Sequence, residues 1–170
     1  MAEERKTMKV MVAIDESDGS FYALKWTLDN LFMSALASPD LNQDAGMITI
    51  VHVQQPFQPY IYPAGPVIYA TTTVLESVRK AQEENTAAIL SRALQICKDK
   101  PVKVETLILE GEPKDLICQA AEQMHVDFLV VGSRGLSKIK RAFLGSVSDY
   151  CAHHAKCPIL IVKPPKESRE

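Results

Sequence analysis

Five short stretches of this 170-residue chain are rich in apolar residues at consecutive positions, and helix-period segments separate them. The stretches are Lys9 to Asp15, Met47 to Val53, Val102 to Leu109, Phe128 to Gly132 and Pro158 to Val162. Each is too short for a buried helix, and all but the third are apolar on both faces of a strand, so both faces must be covered. Strands that alternate with helices join through right-handed crossovers into a parallel sheet, and the expected fold class is therefore α/β. In such sheets ligands sit beyond the carboxyl ends of the strands, so residues immediately after each stretch are the ones to search for function.

Helical spacing predicts the covering elements. Phe21, Leu24, Leu28, Leu31 and Phe32 mark a helix from Ser20 to about Leu36, preceded by turn and cap residues at Asp15 to Asp18. Leu75, Val78, Ala81, Ala88, Ile89 and Leu94 mark a long one from Val74 to Cys97. Leu116, Ile117, Ala120, Ala121 and Met124 follow Gly111-Glu112-Pro113, where Pro113 suits a first helical position. Ser146 to His154 is a short helix. Residues 54–73 carry four prolines and three tyrosines and read as an irregular insert, and 164–170 as a charged tail.

Charge narrows the partners. Nineteen basic against 21 acidic residues give a net charge of -2, which excludes the basic excess that binds nucleic-acid backbones. No apolar run approaches the ~18 residues needed to span a membrane, and no secretory signal is evident, so the expected location is the cytoplasm, or the nucleus by diffusion. Cys97, Cys118, Cys151 and Cys157 form no C-x-x-C pair and read as reduced core thiols.

The most informative motif follows the fourth stretch: Gly132-Ser133-Arg134-Gly135, nine residues, then Gly145-Ser146-Val147-Ser148. Glycine permits positive φ and close backbone approach, and a helix start offers unpaired N–H groups to an anion. The hydroxyls of Ser146 and Ser148 can donate to the same oxygens. The plainer alternative is a tight turn at Gly132 to Gly135 and an ordinary N-cap at Ser146. On the anion reading, a bulky residue at Gly132 or Gly145 abolishes binding and spares the fold. Walker A and G-x-G-x-x-G loops are absent.

With its other landmarks, the motif resembles the ATP-binding universal stress proteins. Val12-Ala13-Ile14-Asp15, Val51-His52-Val53, Gly111-Glu112-Pro113, Val130 to Gly135 and His154 to Pro158 carry the resemblance, which spans residues 8–163. The Pro/Tyr-rich insert is similar to that of single-domain plant members. The resemblance implies one domain over 1–170 and a five-stranded parallel sheet of order 3-2-1-4-5, with helices on both faces. It implies ATP, or ADP or AMP, bound with Mg2+ across strands one and four. Ala13, Ile14 and Asp15 would meet the adenosine part, and Val53 the adenine. Gly132, Ser133, Arg134, Gly135, Gly145, Ser146, Val147 and Ser148 would hold ribose and phosphates, and Asp15 could reach the metal through water. It further implies a homodimer paired through residues 159–162.

Asp15 has a second role open to it, as a carboxylate at the start of the first helix. Cys151, His153, His154 and Cys157 are zinc-ligand types, but no second cluster accompanies them. His52 reads as a pocket wall. Three functions compete: a nucleotide-dependent stress-response switch, a slow ATP-hydrolysing enzyme, and a chaperone-like protein stabilised by nucleotide. The near absence of candidate catalytic carboxylates favours the first and predicts, at most, slow hydrolysis.

Overall fold

A computed structural model describes residues 7–32, 46–57, 72–133 and 144–165. Five strands form one parallel sheet: β1 (Lys9–Ala13), β2 (Met47–Gln54), β3 (Lys103–Glu110), β4 (Phe128–Gly132) and β5 (Ile159–Val162). Their order is β3-β2-β1-β4-β5, so β1 is central and pairs with β2 on one side and β4 on the other. The chain reverses its direction of travel across the sheet between β1 and β4, which opens a crevice at their carboxyl ends.

The consecutive apolar residues of the strands divide between two cores. Val10, Val12, Ile48, Ile50 and Val130 face helices α1 (Asp18–Thr27) and α2 (Thr72–Cys97). Met11, Ala13, Val51, Leu129 and Val131 face α3 (Pro113–Gln123) and α4 (Ser146–His154). Side chains alternate across a strand, so both sets must be apolar. Fully burying one such side chain contributes about 1.5–3 kcal/mol.

The helices differ from expectation in three places. α1 starts at Asp18 and ends in a π-helical turn, Leu28–Phe32, which keeps both Leu28 and Phe32 buried. The expected continuation to Leu36 lies outside the described residues. α2 begins at Thr72 and β2 reaches Gln54, so the insert is shorter than 54–73; its residues 58–71 also lie outside them. The buried stripe of α2 is Thr86, Ile89, Ala93 and Cys97, whereas Leu75 and Leu94 are exposed. Only the second half of this helix lies on the sheet, and its first turns extend past the core.

Pro113 opens α3 as expected. Gly111 before it has φ 147° and donates its N–H to Gln54 O at 2.9 Å, a conformation that disfavours any side chain. No described helix is long and apolar enough to cross a membrane.

Candidate functional site

The crevice at the ends of β1, β2 and β4 holds a cleft of about 440 Å³. Its walls come from parts of the chain far apart in sequence. Ala13 ends β1 and Ile14 and Asp15 follow it, Val53 lies just before Gln54 at the end of β2, Gly132 ends β4, and Gly145 caps α4, which opens with Ser146, Val147 and Ser148. The structure thus places together nearly all the described residues singled out by motif. Arg134 and Gly135 lie outside the described residues. Ser133 is buried and does not line the cleft; its N–H donates to Val162 O and its carbonyl accepts from Gly145 N at 2.7 Å.

The start of α4 provides the anion-binding character. Its N-cap is Gly145, not Ser146, and a glycine has no side chain to cap the helix. An intrahelical bond runs from Asp149 N to Gly145 O, so the N–H groups of Ser146, Val147 and Ser148 come before the helix's own ladder. The helix dipole adds positive potential at this point. Ser148 is different from the expectation: its hydroxyl donates to Gly145 O at 3.0 Å or Ser133 O at 3.2 Å. Buried against these carbonyls, it braces the loop, and its backbone N–H is the group left to face an anion.

The glycines also have a different physical reason. Gly145 has φ -63°, an ordinary value, and the positive-φ glycines among the described residues are Gly46 and Gly111. Gly132 is required by proximity: a β-carbon there would lie 3.0 Å from Gly19 O and 3.2 Å from Ser20 N. A substitution at Gly132 therefore presses on the backbone of α1, and stability as well as binding is expected to respond.

Asp15 is held in a turn. Its Oδ1 accepts from Ser17 N at 2.8 Å and from the Ser17 hydroxyl. Ser17, not Asp15, caps α1, accepting from Ser20 N at 3.3 Å. Asp15 thus orients the cap residue through Oδ1, and no bond to its Oδ2 is found among the described residues. His52 is buried in the wall, with Nδ1 2.9 Å from Ile14 O. The carbonyl can only accept, so Nδ1 carries the proton and the ring pins the end of β1 to β2.

A polar wall escaped the sequence reading. Gln54 Nε2 donates to Thr86 Oγ1 at 2.6 Å, and Gln82 Nε2 donates to Gln55 O at 2.8 Å. All four residues line the cleft, as does Glu16, which accepts from the Asn85 side-chain amide. Pro113, Ile117 and Val131 form an apolar wall on the α3 side. The cleft therefore combines a slot with apolar lining, amide and hydroxyl groups, and a helix start, which suits a ligand with a flat apolar part and an anionic end.

The zinc-ligand types do not converge. Cys151 is fully buried, whereas the exposed His154 ring stacks on Tyr150 and bonds its carbonyl oxygen at 2.9 Å. Among the described residues no three His, Cys, Asp or Glu side chains group as a metal site.

Comparison with known proteins places the fold in a family. Residues 6–163 match the model of the universal stress protein family. A universal stress protein A-like protein of Arabidopsis thaliana is 32% identical over 164 residues, covering 91% of this chain and 89% of that one. A crystal structure of a universal stress protein family protein from Arabidopsis thaliana with AMP bound has a TM-score of 0.65 and 29% identity, covering 96% and 95% of the two chains. The universal stress protein UspA from Lactobacillus plantarum has a TM-score of 0.71 at 21% identity, covering 91% and 97%, which bears on the fold alone.

Proposed function

The chain belongs to the universal stress protein family, and from that premise we propose that its cleft binds an adenine nucleotide. The observation that carries the reading is the uncapped start of α4, whose Ser146, Val147 and Ser148 N–H groups border a slot that is apolar on its other side. The AMP held by the similar Arabidopsis structure supports the same ligand class here. Phosphate sits at the start of α4, and the base lies toward Val53, Pro113 and Ile117.

The finer reading is ATP, with ADP or AMP as alternatives, used as a stress-response switch rather than as fuel. Mg2+ suits the donor set: it takes one or two carboxylate contacts beside phosphate oxygens and water, and Asp15 provides a carboxylate oxygen not held by Ser17. When bound, the ion neutralises phosphate charge. Glu16 is a second carboxylate in the cleft, but Asn85 engages it. No described residue there is arranged as a base for an attacking water, and turnover well below the ~1–100 s⁻¹ of kinases is expected. The unpaired thiols suit a reducing compartment, in keeping with action in the cytoplasm.

The test is calorimetric titration with ATP, ADP, AMP, adenosine and GMP, with single-turnover hydrolysis alongside. The expected order places each adenine nucleotide about tenfold or more above adenosine, since charge-assisted bonds at the helix start are worth roughly 1.5–3 kcal/mol. Binding of adenosine and AMP with equal affinity would refute the phosphate site. Hydrolysis near one turnover per second would make the protein an enzyme.

A further inference from the structure

Helix α3 packs against α4, and at their contact Cys118 and Cys151 bring their Sγ atoms to 3.4 Å. Cys151 is fully buried, while Cys118 is only partly so and can meet a small reagent. Both helices also border the cleft. Cys118 directly follows Ile117, a wall residue, and Cys151 lies one turn beyond Ser148. We propose that Cys118 and Cys151 form a reversible disulfide site, oxidised by hydrogen peroxide or a similarly small hydroperoxide, that clamps α3 to α4 and changes nucleotide affinity. The regulatory half rests on the nucleotide reading above.

The chemistry balances without any further reactant. The Cys118 thiolate attacks a peroxide oxygen and the O–O bond breaks, giving a sulfenic acid and hydroxide, which takes up the proton lost from the thiol to become water. The Cys151 sulfur then attacks the Cys118 sulfur, the S–O bond breaks, and hydroxide leaves with the Cys151 proton as a second water. Two thiols are oxidised to one disulfide and one peroxide is reduced to two waters. A dithiol or glutathione reverses it by exchange. An S–S bond is about 2.05 Å, so the sulfurs must approach by about 1.3 Å, which side-chain rotation and a small helix shift provide.

Two features set the rate and the specificity. Burial pushes both thiols up, so the reactive thiolate is scarce at neutral pH and oxidation accelerates as pH rises. Cys157 belongs to the same apolar cluster and is partly buried, which makes it the natural competitor and the internal control.

The experiment treats the reduced full chain with hydrogen peroxide, blocks the remaining thiols, and maps peptides by mass spectrometry. AMP affinity is measured calorimetrically before oxidation, after it, and after dithiothreitol. The expected result is a loss of two hydrogens with no oxygen added, a Cys118–Cys151 cross-link, and a reversible change in AMP affinity of about fivefold or more. Cys118→Ser, with Cys118→Ala as a second variant, should lose both the cross-link and the affinity change; Cys157→Ser should keep both. Sulfinic acid on Cys118 with Cys151 free, pairing through Cys157, or a cross-link that leaves affinity unchanged would overturn the proposal. Reduced protein that fails to bind AMP would refute the nucleotide reading and the regulatory half, while the peptide map would still decide the disulfide.

Discussion

Gly132 at the end of β4 faces the Gly19 carbonyl of α1 so closely that a β-carbon would stand 3.0 Å from its oxygen. The neighbouring atoms are backbone and cannot swing aside. Gly132→Ala is therefore expected to lower stability by about 1–3 kcal/mol, the ordinary penalty of overpacking. Urea denaturation checks this; a variant as stable as wild type would show that α1 yields without penalty. Nucleotide affinity should fall in the same variant, because α1 and the β4 end share the cleft.

The bond from Gln54 to Thr86 invites a double-mutant cycle. Thr86 is buried but the Gln54 amide is half-buried at the cleft, so Thr86→Val, which removes the acceptor while keeping the shape, is expected to lose about 0.5–1.5 kcal/mol. Adding Gln54→Leu should recover part of that loss. Strictly additive effects in denaturant melts would mean the two residues act independently.

Assembly can be tested without breaking the sheet. Leu129 N donates to Pro158 O and Ser133 N to Val162 O, and the alternation of a parallel ladder then turns the Ile161 N–H away from β4. Wild type is expected to be a dimer through this outer edge, and Ile161→Pro to be a folded monomer. Light scattering and circular dichroism read the two properties separately. A wild-type monomer at micromolar concentration would remove the dimer from the account.

Alkaline pH should weaken the fold. Burial pushes the Cys97 thiol from 9.0 to about 11. A raised folded pKa favours the protonated form in the native state, so its contribution is complete below pH 9.0 and lost as pH rises through about 11. Melting temperature should decline over that window, and less so in Cys97→Ala. Equal slopes would assign the alkaline effect to other groups.

Much of this architecture was legible because a strand covered on both faces has few disguises. β4 and α4 begin and end where their residues predict, since Gly132 and Gly145 punctuate them. The long helix was harder. Apolar residues occupy more than one face of α2, so periodicity identifies a helix without selecting Thr86, Ile89, Ala93 and Cys97 as its inner stripe. The same ambiguity leaves Gln82 and Thr86 without a sequence signal, since only laying α2 over the end of β2 brings them to the cleft. Asp15, Ser17 and Asp18 are all cap-forming types, and only the fold decides that Ser17 caps while Asp15 holds it. At Gly132 the residue type was informative but its cause was not, because the crowding comes from a helix far away in sequence.

The placement of β1 between β2 and β4 has a consequence for how the molecule is made. Lys9 N donates to Asp127 Oδ2, 118 positions along the chain, and the cleft likewise joins the first strand end to the start of α4. A nascent chain that has released α1, β2 and α2 carries one wall of the cleft and an open edge on β1. Nothing that binds across the cleft can hold such a chain, because the opposite wall is still inside the ribosome. Ligand stabilisation, which acts only on states that bind, therefore reaches finished molecules and leaves truncated or cleaved ones exposed to proteolysis.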